Sequence, residues 1–345
     1  MTERETMTIV RPSNMHLHLR NGEMLQWVTP ESARWFYYAV IEPNTRPQPV
    51  LTAEDALQYR AEILAAIPSA TSFVPIMTIQ ITDRTTPAMI REAYRSNIRV
   101  TKSYPYGVTT HSENGIRDFP HLYPVYRESA RLGMINQFHA ELDGVSILTR
   151  ERVFLERVAR PLIQAIPDLK VVIEHITTGS AARFVEEAPD SVAATLTVHH
   201  LDVILDDVYG RGGKIRPHLF CLPPPKPKAN RTALWRAALS GNPKFFLGLD
   251  CAPHFVTDKE CAKGCGGLFT TPVAIPTLVE FYCHHRAAHR LEDFVSQFGP
   301  GFYGLPIPSQ KMTLVKKPWQ VPERYFGCVV PYRAGEWLEW QLATA

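Results

Sequence analysis

The sequence predicts an α/β protein of the (β/α)8 TIM barrel class: eight parallel strands closed into a ring, helices outside, and a C-terminal extension. Three observations predict it. Short apolar, β-rich runs alternate with helical patterns almost throughout the chain, as repeated βα units around a parallel sheet require. Residues suited to chemistry recur at or just beyond the C-terminal ends of those runs, the rim where barrel active sites form, whereas chance would scatter them over both ends. The chain's 345 residues, 45% of them hydrophobic, can bury a core as large as one such barrel.

The first strand is read at residues 15–19, Met-His-Leu-His-Leu. A period of two places His16 and His18 on one face and Met15, Leu17 and Leu19 on the other, and two imidazoles on one face suit chelation of a metal ion. Further strands are read at 35–41, 73–79, 98–103, 134–138, 170–174, 193–198 and 245–249. Helices fall between them at 53–66, 87–95, 122–132, 150–166 and 180–187, where apolar residues recur every three or four positions. Residues 104–115 form a glycine- and hydroxyl-containing loop after the fourth strand, suited to a mobile lid or to an ordinary surface loop. From 199 to 242, Pro217, Pro223, Pro224, Pro225 and Pro227 predict a long irregular connection of the kind that carries function. Beyond Pro300 the βα rhythm fades. The expected organisation is therefore a single domain, with the barrel over about 10–300 and an extension over about 301–345 packed against it.

Composition excludes several classes. The formal net charge is +3 with both signs interspersed, so no basic stripe for nucleic acid exists. No stretch approaches the roughly 20 apolar residues of a membrane span, and the first ten residues lack the apolar core of a secretory signal. Six scattered cysteines in a chain this large predict a reduced, cytoplasmic setting. Cys261 and Cys265, among Gly264, Gly266 and Gly267, are either half of a zinc site or thiols in a glycine-rich loop, and no second cysteine pair lies nearby.

His16, His18, Lys102, His139, His175 and Asp250 together form a ligand set large enough for two divalent ions. Singly, each has an ordinary explanation: His139 as a rim histidine, Asp250 as a helix cap. Lys102 is the odd member, because an ammonium has no lone pair and repels a cation. It joins such a site only if carboxylation by carbon dioxide turns it into a carbamate; otherwise it forms a salt bridge with a nearby carboxylate.

Eight segments carry a resemblance to a known family: His16-x-His18-x-Arg20, Pro43-Asn44, Lys102-Ser103-Tyr104-Pro105, Gly107-Val108-Thr109-Thr110, His139-Ala140-Glu141, Glu174-His175-Ile176-Thr177-Thr178, Arg216-Pro217-His218 with Cys221-Leu222-Pro223, and Asp250-Cys251-Ala252-Pro253-His254. In this order they resemble the dihydroorotases of the amidohydrolase superfamily, in the shorter monofunctional form of enteric bacteria and fungi. The resemblance implies two zinc ions, one held by His16, His18 and Asp250, the other by His139 and His175, with carboxylated Lys102 bridging them. It implies activation of a water between the metals and Asp250 as the proton shuttle. Arg20, Asn44 and His254 would grip the substrate's non-reacting carboxylate, backbone groups near Leu222 and Gly266 its ring amides, and Thr109 and Thr110 would close over it. The implied reaction is reversible cyclisation of N-carbamoyl-L-aspartate to L-dihydroorotate in de novo pyrimidine biosynthesis, by a cytoplasmic homodimer. Two alternatives stand beside it: a related cyclic amidase acting on a hydantoin, dihydropyrimidine or imide, and an inactive homologue with an assembly role.

The chain departs from the family pattern at Asn21, usually acidic, at Glu42, usually methionine, at Ala140, usually glycine, and at Gly266, commonly alanine. Glu42 brings a carboxylate near the anion clamp, where it is expected to compete with an anionic ligand for Arg20.

Overall fold

The computed structural model describes residues 5–69, 71–110 and 112–343. A strand β1 (Thr6–Val10) precedes eight parallel strands that pair in sequence order: β2 (Asn14–Leu17), β3 (Tyr38–Ile41), β4 (Val74–Ile81), β5 (Val100–Ser103), β6 (Ile135–His139), β7 (Lys170–Glu174), β8 (Val192–Leu196) and β9 (Phe245–Leu247). The ring closes where β2 meets the chain leaving β9: His18 N–H donates to Cys251 O and Asp250 N–H to His16 O, both at 3.1 Å. A helix follows each barrel strand, including Gly22–Trp35 after β2, Lys228–Leu239 after β8 and Ala274–His284 after β9. The predicted barrel class is thus the observed architecture.

The inward columns explain why the site lies where it does. Met15, Val40, Val100, Ile135, Val172, Ala193 and Phe246 form one apolar layer inside the barrel, sealed by Phe298, Phe302 and Tyr303 beneath it. Two residues further along their strands the inward positions turn polar: Glu42, Lys102, Gln137, Glu174 and Thr195, all buried. The intervening residues, such as Ile41, Phe138 and Ile173, join the larger core under the helices. A period of two therefore sorts each strand into a helix-facing side and an inward side that runs from apolar floor to polar mouth.

Several expectations need correction. β2 shifts register between Asn14 and Leu17, so Met15 joins the interior layer while Leu17 packs outward, and the two do not share a face. Trp35, read as the start of a strand, ends a helix that accommodates Pro30 inside it. The connection 199–242 is not irregular throughout: it contains the helices Leu205–Tyr209 and Lys228–Leu239, the second starting directly after Pro227. The C-terminal segment is not a plain tail either. Here β10 (Lys311–Gln320) pairs with both β1 and β11 (Trp337–Leu342) in an antiparallel three-stranded sheet.

Candidate metal and substrate site

At the mouth of the barrel three donor atoms converge. His16 Nε2 lies 3.3 Å from His18 Nε2 and 3.3 Å from Asp250 Oδ1, and His18 Nε2 lies 3.0 Å from the same oxygen. Zinc bonds of about 2.0–2.1 Å in tetrahedral geometry separate ligand atoms by about 3.3 Å. This trio fits one ion. His16, His175 and Asp250 likewise offer ligand atoms within 4.8 Å of one another. The His139 ring packs against His175 with centroids 4.7 Å apart, and His175 Nδ1 is buried with no hydrogen-bond partner.

Local backbone geometry aims these groups. His175 (φ 40°), Asp250 (φ 46°) and Arg20 (φ 62°) adopt left-handed conformations just past their strands, each costing about 1–3 kcal/mol that the surrounding fold must offset. Gly248 makes room for His16: a Cβ there would stand 2.6 Å from Thr195 Cβ and 3.1 Å from His16 Cβ.

Carboxylates behind the histidines set which ring nitrogen faces the site. Glu174 Oε2 accepts from His16 Nδ1 at 2.6 Å and from Thr195 Oγ1 at 2.7 Å, which leaves His16 Nε2 facing Asp250. Glu141 Oε2 holds His139 Nε2 at 3.0 Å, so Nδ1 is the ring atom His139 could offer a metal. Burial lowers the His16 pKa, but Glu42 and Glu174 outweigh it and bring His16 up to about 9. Burial takes His18 down to about 4. His175 is held well below the usual imidazole range by burial and by His139 beside it. Burial raises the pKa of Asp250, yet hydrogen bonds from His16 and His18 win and keep it well below the usual carboxylate range.

Lys102 is fully buried, its Nζ 3.2 Å from Glu42 Oε2 and 3.4 Å from His16 Nδ1. Glu42 also accepts from Tyr104 OH at 2.8 Å. The expectation that Glu42 competes for Arg20 is therefore corrected: its hydrogen bond and ion pairs run to Tyr104, Lys102 and His16. Burial raises its pKa, but His16 and Lys102 overcome this and hold it below the usual value.

Through His18 the trio borders a cavity of about 440 Å³ whose lining also includes Arg20, Asn44, Thr110, His254 and Cys265. Arg20 Nε donates to Pro253 O at 3.0 Å and its Nη2 approaches His254 Nε2 at 3.0 Å. Burial lowers the pKa of both Arg20 and His254. Asn44 Nδ2 reaches Thr110 O at 3.4 Å, which brings Thr110 to the cavity wall, while Thr109 N–H donates to Ser112 Oγ. Gly266 lies against Leu222; a Cβ there would meet Leu222 Cγ at 2.9 Å. Among the described residues Cys261 and Cys265 join no group of three or more metal-ligating side chains.

Sequence reasoning assigned no role to Glu141, Glu174, Thr195 or Glu151. Glu151 accepts from Thr177 N–H at 2.7 Å and Thr177 Oγ1 at 3.2 Å, anchoring the segment that carries His175. A signal existed for two of them: each adjoins a candidate histidine, in Glu174-His175 and in His139-x-Glu141.

Closed barrel and buried histidine–aspartate cluster together define a metal-dependent amidohydrolase. Relatives narrow the class. Dihydroorotases of Teredinibacter turnerae and Idiomarina loihiensis are 45% and 44% identical to this chain, each over 98% of it and 99% of the relative. The solved dihydroorotase of Campylobacter jejuni superposes with a TM-score of 0.90 at 35% identity, covering 100% of this chain and 99% of that one. The Saccharomyces cerevisiae dihydroorotase, in complex with 5-fluoroorotic acid, gives 0.91 at 31% over 98% of both chains. An L-hydantoinase from Arthrobacter aurescens shares the fold alone, at 15% identity and a TM-score of 0.82. No protein-family model matches the chain. The chain belongs to the dihydroorotase family. Dihydroorotases are metal-dependent enzymes acting on a small molecule. Among the described residues no helix is long and apolar enough to cross a membrane.

Proposed function

We propose that this enzyme interconverts N-carbamoyl-L-aspartate and L-dihydroorotate, with His16, His18 and Asp250 holding one zinc ion, His139 and His175 a second, and carboxylated Lys102 between them. The carrying observation is the convergence of His16, His18 and Asp250 within 3.0–3.3 Å at the mouth of a cavity lined by Arg20, Asn44 and His254. Carboxylation of the Lys102 ammonium forms a bond from Nζ to the carbon of carbon dioxide and releases two protons, one on neutralising the amine and one on forming the carbamate; the product is an anion that cations attract where the ammonium repels them. When bound, two zinc ions act as Lewis acids that polarise the scissile carbonyl and lower the pKa of water.

The remaining work falls to the protein. Arg20, with Asn44 and His254, binds the carboxylate that does not react, a contact strengthened by the dry environment of the guanidinium. Backbone groups near Leu222 and Gly266 orient the ring amide. Asp250 accepts the proton of the attacking water in the hydrolytic direction and passes it to the leaving ring nitrogen; in the synthetic direction the transfers reverse. Thr109 and Thr110 close over the substrate and keep bulk water from a reaction whose reverse is hydrolysis. The 5-fluoroorotic acid bound by the yeast relative, a pyrimidine carboxylate, supports an anionic ring ligand. Free cysteines throughout the described chain support a reducing, cytoplasmic setting, and family resemblance supports a homodimer.

Lys102→Ala and Asp250→Asn are each expected to abolish interconversion of the two compounds while circular dichroism stays native. Wild-type protein is expected to turn over dihydroorotate in strong preference to dihydrouracil and hydantoin, which lack the carboxylate. Full activity in either variant, or a preference for the neutral rings, overturns the reading.

A further inference from the structure

A second cluster of metal-ligating side chains lies one strand away from the first. His199 and His200 follow β8, and Cys221 comes from the proline-rich connection; all three are buried, and their ligand atoms lie within 4.8 Å of one another. We propose that His199, His200 and Cys221 bind a further divalent cation of zinc-like softness, distinct from the metals of the active centre.

The geometry of this cluster is already close to that of a bound state. His200 Nε2 stands 3.6 Å from Cys221 Sγ. Tetrahedral zinc with a nitrogen at about 2.0–2.1 Å and a sulfur at about 2.3 Å separates those two atoms by about 3.5 Å. His200 Nδ1 meets Thr197 Oγ1 at 2.9 Å, the outer hydrogen bond that commonly orients a ligating imidazole. The Pro223 carbonyl oxygen lies 3.0 Å from His200 Nε2 and 3.2 Å from Cys221 Sγ, so an oxygen ligand stands on the same side.

His199 supplies an independent argument. Its ring is 1% exposed, its centroid is 4.4 Å from that of His200, and neither of its nitrogens has a hydrogen-bond partner. A buried donor and acceptor left unpaired cost about 1–3 kcal/mol, and a cation bound by this ring removes part of that cost. Burial raises the Cys221 thiol pKa and lowers those of both imidazoles, so the rings are in the neutral form that ligates, while the sulfur gives up its proton only to a metal. Lys226 and Lys259 also favour an anionic sulfur, and their own ammonium groups are occupied by the Pro224 and Phe220 carbonyls respectively.

Occupancy would pin Cys221, Leu222 and Pro223 against the end of β8, and so fix the segment proposed to touch the substrate ring. None of the six ligands proposed for the active centre is a thiol, so a thiolate signal that depends on Cys221 is diagnostic. Full-length protein is depleted of metal and titrated with cobalt(II). Wild type is expected to take up one equivalent more than the Cys221→Ser variant and to develop a near-ultraviolet sulfur-to-cobalt band that this variant lacks. His199→Gln, which retains every thiol, is expected to weaken the band-forming step by at least about tenfold. Absence of the band in wild type with the other sites filled, its survival in Cys221→Ser, or unchanged affinity in His199→Gln overturns the proposal.

Discussion

Gly248 shows how much one side chain's absence can decide. It lies two residues beyond Phe246 of the interior layer, and Thr195 and His16 fill the space it leaves. Gly248→Ala is expected to force those neighbours apart, lowering stability by about 1–3 kcal/mol in urea unfolding and reducing bound zinc by displacing His16. A variant with wild-type stability and full zinc content would show that the site tolerates a shifted His16. Glu42 makes a related point. Expected beside the anion clamp to compete for Arg20, it is in fact turned into the barrel toward Lys102, because its position just past the end of β3 continues the inward parity of Tyr38 and Val40.

Elements meet through buried polar groups that link loops from different βα units. Lys259, at the end of the short helix Val256–Lys259, donates to Phe220 O at 2.9 Å, Cys265 O at 3.0 Å and Gly267 O at 2.6 Å, so one ammonium joins the 220 and 265–267 segments beside the cavity. Burial lowers its pKa from 10.5 to about 8. The folded state therefore releases this proton before the unfolded state does, and between about pH 8 and 10.5 the unfolded chain binds more protons, so stability contributed by this group rises with pH in that window. Wild type is expected to gain on Lys259→Met by up to about 1.4 kcal/mol per pH unit as urea midpoints are compared from about pH 8 to about pH 10. A pH-independent difference would mean the lysine is not desolvated as its surroundings imply.

Across the whole molecule, the six proposed ligands come from the ends of β2, β5, β6, β7 and β9, so metal bound there would tie together strands that otherwise touch only their neighbours. An ion that binds only the folded chain stabilises it by about 2.7 kcal/mol at a hundredfold excess over its dissociation constant. Stripping metal with a chelator is accordingly expected to lower the melting temperature by about 5 °C or more, with recovery on adding zinc. An unchanged melting temperature after metal analysis confirms removal would contradict this role. At this scale the barrel itself was legible early, since strand periodicity and the recurrence of βα units are local properties. The sheet of β1, β10 and β11 was not, because its strands pair residues such as Thr6 and Val315 from opposite ends of the chain. Nor was the helix Gly22–Trp35, where Pro30 reads as a break but sits within a helix packed against the barrel.

The sequence by itself determined the barrel class, the eight-fold alternation and the residues that gather at the strand ends, since spacing along a strand and the punctuation of turns act within a few residues. Only the tertiary structure decided which carboxylate orients which histidine. Glu174 reaches His16 across 158 residues, and Glu42 meets Lys102 rather than Arg20. Those pairings follow from ring closure and inward parity, and no local pattern encodes the distance between two side chains brought together by the closing of a barrel.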